Sequence, residues 1–166
     1  LDIFEALAAE DSGPGPDGYA LDLFADVRRQ ILDILRGLPA GKADDIPAGF
    51  RNNMRWHAGH LLAITDKLMF QFSGEGSRIP AEYETWFASG TAPSDWSREP
   101  PATNALLIQL EEQMAAIRET FAGRMSRPVA DRSNFLRATT VGELFHVLIA
   151  HESTHLGMIQ AMARML

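Results

Sequence analysis

Five histidines hold most of the chemistry this chain can offer: His57, His60, His146, His151 and His155. His151 and His155 are four residues apart, so on a helix they lie one turn apart on one face. Leu144, Leu148, Met158 and Met162 share that stripe, which directs both imidazoles toward an apolar core. His57, His60, Leu61, Ile64 and Leu68 form a similar face earlier in the chain, so His60 also points inward. Three neutral imidazoles converging in a core, with one coordination position left open, make a catalytic type of divalent-metal site. One histidine on an apolar face is ordinarily a core residue satisfied by a single hydrogen bond. Three in one small core bring nitrogens that all need partners, and a shared metal supplies them together. The spacing leaves one choice open, because His57 replaces His60 if its helix is rotated. His146 lies about 140° from His151 around the helix and falls off the site.

The run His151-Glu152-Ser153-Thr154-His155 has the form of a zinc protease motif with Glu152 as base. Only 11 residues follow His155, which leaves little room for a downstream ligand and cleft. Met158 and Ala161 stand where the extended motif has Gly and His. Glu152 is about 100° from His151, so it either flanks the site or faces solvent. No residue is singled out as catalytic. The chain has no Cys, which excludes disulfides, thiolate ligands and a cysteine nucleophile.

Four long helical segments position these residues, and none shows sustained strand alternation. The first, 17–38, places Leu21, Phe24, Val27 or Arg28, Ile31, Leu32 and Leu35 on one stripe. The second spans 51–72. The third, 103–125, carries Leu106, Leu110, Met114, Ile117 and Phe121, with Thr103 as its expected N-cap. The fourth starts at Val141 after a Thr140…Glu143 capping box. Four such helices read as an antiparallel bundle over 17–166, with 1–16 as an N-terminal arm. The connection 74–101 is long and holds Tyr83, Trp86, Phe87 and Trp96. It packs as a cap on the core or acts as a substrate lid.

The 166 residues carry 15 Lys+Arg, 22 Asp+Glu and a formal charge of −7. This acidic balance disfavours nucleic acid as a partner. No apolar run approaches a membrane span, and the first ten residues do not read as a signal peptide. A cytoplasmic location is the expectation.

Trp56-His57-Ala58-Gly59-His60-Leu61 resembles the W-H-x-x-H-L segment of the DinB/YfiT-like proteins. His151-Glu152-Ser153-Thr154-His155-Leu156-Gly157 resembles that family's H-x-x-x-H-x-G segment. Their order and separation also agree. The resemblance implies an all-α, up-down-down-up four-helix bundle whose metal ligands are His60, His151 and His155. His57 matches a common but non-ligating position. It implies a divalent metal, zinc or nickel first among them, frequent homodimers, and chemistry dependent on a low-molecular-weight thiol. Met158 departs from the family's usual Gln at that place.

The expected function is a metal-dependent transfer of a thiol of the bacillithiol, mycothiol or glutathione type to an electrophilic small molecule. His57, Tyr83, Trp86, Phe87 and Glu152 are candidates for the substrate pocket. A metal-dependent hydrolase would use the same ligands. A non-enzymatic bundle, stabilised by metal and acting through a protein partner, is the reading of a different class.

Overall fold

The computed structural model describes residues 15–166. The expected arm lies almost wholly outside the described residues. Helix α1 spans Gly15–Arg36. Helix α2 spans Met54–Thr65 and runs on through a π-helical turn, Asp66–Gln71. Helix α3 is a single short element, Glu82–Phe87. Helices α4 and α5 span Thr103–Phe121 and Val141–Ala163.

Local chemistry sets most of these limits. Asn53 caps α2 by accepting from the Trp56 N–H, so this helix begins three residues later than expected. The Thr140–Glu143 capping box starts α5 as predicted. Thr103 does not cap α4. Ala102 holds the cap position, and Thr103 is the first helical residue. Helix α4 also ends at Phe121, four residues early, before Gly123 takes a left-handed φ of 72°.

The side-chain pairings give the helix directions. Phe24 meets Phe145 and Arg28 meets Glu152, so α1 and α5 run parallel. Gln113 reaches the Leu62 carbonyl and Phe121 meets Phe70, so α2 and α4 also run parallel. Asp22 pairs with Arg118 and Arg28 reaches the Leu110 carbonyl, which makes α1 and α4 antiparallel. His57 meets His155 and His60 meets His151, so α2 and α5 are antiparallel as well. The four long helices therefore form an up-down-down-up bundle.

Two apolar clusters fill its interior. One gathers Ile31, Leu32, Leu61, Leu106 and Ile159 at the histidine end. The other gathers Phe24, Phe70, Phe121 and Phe145 at the far end. Arg28, Thr65, Gln113 and Glu152, all buried, meet between them. The long 74–101 connection folds onto α2 as a cap. Tyr83, Trp86, Phe87 and Trp96 stack edge on face there, and Tyr83 and Phe87 are buried.

No helix among the described residues is long and apolar enough to cross a membrane.

Candidate metal centre

Helices α2 and α5 bring four of the five histidines into one cluster. His60, His151 and His155 each offer a ring nitrogen, and these three atoms lie within 4.8 Å of one another. Nε2 of His60 is 3.1 Å from Nε2 of His151. Nδ1 of His57 is 2.9 Å from Nδ1 of His155, so one of the two carries the proton that the other accepts. His146 is exposed and apart from the cluster, as its helical position predicts.

The His60 tautomer follows from its neighbour. Nδ1 of His60 lies 2.7 Å from the Phe87 carbonyl oxygen. A carbonyl only accepts, so Nδ1 carries the hydrogen and Nε2 of the neutral ring keeps its lone pair. The Trp56 ring stacks on His60 with centroids 4.4 Å apart and planes 13° from parallel. Trp56 is itself fixed by its indole N–H, which donates to the Thr91 hydroxyl. Gly59 is the condition for this arrangement. A Cβ there would stand 2.4 Å from the Phe87 ring, so only glycine lets α3 approach α2 this closely.

Burial keeps these imidazoles neutral at neutral pH, the form in which they can ligate a metal. Desolvation lowers His57 from about 6.5 to about 4, assisted by His60. Desolvation likewise lowers His151 to about 4, with His60 and then Arg28 adding to it. His155 falls to about 2 through desolvation and then the charges of His151, His60 and His57. Burial lowers His60 too, against the opposing hydrogen bond to Phe87.

The donor set fits a divalent cation. Hydrogen bonds within the cluster leave Nδ1 of His151 buried without a partner, so the rings do not satisfy one another. A cation accepts lone pairs from three imidazoles at once, and an all-nitrogen set suits a divalent transition metal.

The remaining sequence candidates take different places. Glu152 does not face solvent. It is fully buried, and Arg28 holds both its oxygens, Nη2 to Oε1 at 2.5 Å and Nε to Oε2 at 2.9 Å. Thr65 donates to Oε1 as well. The Phe87 ring rests on Gly59, and its carbonyl orients His60. The Tyr83 hydroxyl donates to Gln109, and Trp86 is only partly buried. Met158, expected on the inward stripe, is 42% exposed. Seven residues after His151 it lies about 20° further round the helix, and His151 is already at the rim of the buried face.

The model of the DinB superfamily matches residues 23–159. The chain belongs to the DinB superfamily. The match runs from within α1 through most of α5 and takes in the four cluster histidines on α2 and α5. No curated protein matches this DinB superfamily chain.

Sequence reading missed three contributors to the centre. The Phe87 carbonyl carries no side-chain signal. Trp56 registered only as part of a motif. Arg28 had a readable signal: a charged residue on the apolar stripe of α1 needs a buried partner.

Proposed function

We propose that this DinB superfamily protein is a metal-dependent enzyme. In this reading it transfers a low-molecular-weight thiol to an electrophilic small molecule. His60, His151 and His155 would hold the divalent cation, zinc or nickel. The observation that carries the reading is the convergence of three largely desolvated imidazole nitrogens within 4.8 Å. When bound, the cation supplies a Lewis acid that lowers the pKa of an incoming thiol toward neutrality.

The chain's own residues prepare that centre. The Phe87 carbonyl and the Trp56 ring fix His60, so its lone pair needs no reorientation. His57 braces His155. Burial keeps all four rings uncharged near neutral pH. The chain has no cysteine, so the sulfur must arrive with a cosubstrate. Among the three aromatic pocket candidates, Trp86 retains surface to meet an apolar electrophile, whereas Tyr83 and Phe87 are spent on the cap.

The test is thiol consumption in the presence of alkylating or arylating electrophiles, on protein loaded with zinc or nickel. The expected result is metal-dependent turnover that His60→Ala abolishes while the helical signal persists. Stoichiometric metal with no thiol-dependent turnover overturns the transferase reading. Failure to bind either metal overturns the metal centre itself.

A further inference from the structure

Arg28 and Glu152 are each fully buried in the middle of a bundle whose cores on either side are apolar. Such a pair is costly to desolvate, and well-packed apolar residues of similar volume often serve stability as well or better. Its location offers another reason for its presence. Glu152 follows His151 directly on α5. Arg28 reaches it from α1, where its guanidinium also donates to Thr65 of α2 and to Gln113 and the Leu110 carbonyl of α4. The Phe24 ring lies 5.0 Å from the same guanidinium. Every one of these partners except Glu152 is neutral. An arginine stays protonated under all ordinary conditions. Without Glu152, a full positive charge would lie buried against the helical turn that carries His151, one of the three candidate ligands. Charges in such a desolvated place are weakly screened.

We propose that Glu152 is a positioning residue for the metal centre, cancelling the charge of Arg28 so that a divalent cation can be held beside it. Neither residue touches the metal or substrate in this assignment. The pair also ties α1 to α5 at the turn that presents His151, so charge balance and ligand placement come from one contact. The assignment rests on the metal reading of the three histidines.

The test is the zinc dissociation constant, measured by chelator competition on folded protein at neutral pH. Wild type and His60→Ala establish the site first. Absence of zinc binding in wild type would remove the metal reading, whatever the role of the pair. Given a wild-type site, Glu152→Gln is expected to weaken zinc at least about tenfold, the usual scale for groups supporting a ligand. The double variant Arg28→Met/Glu152→Leu removes both charges at similar volume. It is expected to return within about threefold of wild type, since apolar replacement of a buried pair is often near neutral. Affinity lost equally in both variants would mean that the pair acts only as a brace, and would overturn the proposal. Unchanged affinity in Glu152→Gln would overturn it too. If Glu152→Gln does not fold, the double variant and Glu152→Asp decide. Both keep zero net charge against the turn that carries His151, and a tenfold loss in either sinks the idea.

Discussion

The Phe87 carbonyl oxygen and Nδ1 of His60 are 2.7 Å apart, joining the cap over the bundle to the histidine cluster inside it. Phe87 can reach that position because residue 59 has no side chain. Gly59→Ala is expected to push α3 away from α2, costing about 1–3 kcal/mol as overpacking does. Metal affinity should fall with it, since His60 loses the acceptor that orients it. Urea denaturation of metal-free protein and a zinc titration check the two effects. Wild-type values in both would mean that the cap does not position His60.

His57 should behave unlike the three candidate ligands. It touches His155 through Nδ1, but it lies outside the set of nitrogens that converge within 4.8 Å. His57→Ala is expected to keep one metal per chain with affinity lowered about 10- to 100-fold, the range for a group supporting a ligand. Plasma mass spectrometry and competition titration distinguish this from the complete loss expected of His60→Ala. If His57→Ala also empties the protein of metal, His57 belongs to the ligand set.

Binding should register as stability. A cation that binds only the folded chain stabilises it by about 2.7 kcal/mol at a free concentration 100 times its dissociation constant. Zinc or nickel should therefore raise the melting temperature of wild type by several degrees and leave that of His155→Ala unmoved. An equal rise in the variant would assign the effect to surface sites.

The pH dependence of the metal-free protein has a definite sign. His57, His60, His151 and His155 all have folded pKa values below the unfolded value of about 6.5. Below pH 6.5 the unfolded chain therefore binds more protons than the native one. Stability should be full above about pH 7 and fall as pH drops toward 4, where His57 and His151 titrate in the fold. Thermal melts across that window test this. A melting temperature that stays flat or rises on acidification would show that the imidazoles are already solvated or protonated in the native state.

The local sequence determined the four long helices and the start of α5. Apolar spacing at three and four residues and the Thr140–Glu143 box need no partner to be read. It also determined that His151 and His155 share a face, because that depends only on the helical repeat. The choice between His57 and His60 was beyond it. Helix α2 is buried almost all round, from Met54 to Ala63, so periodicity does not separate an inner face from an outer one. Tertiary packing places His60 beside His151 and His57 against His155, and it brings nitrogens of His60, His151 and His155 together. Packing also decided that Glu152 faces Arg28, 124 residues away in the chain, instead of water. A buried charge takes its partner from whichever element lies opposite, and no local pattern encodes which element that is. The carbonyl that orients His60 belongs to the same class, since every residue has one and only the fold selects Phe87.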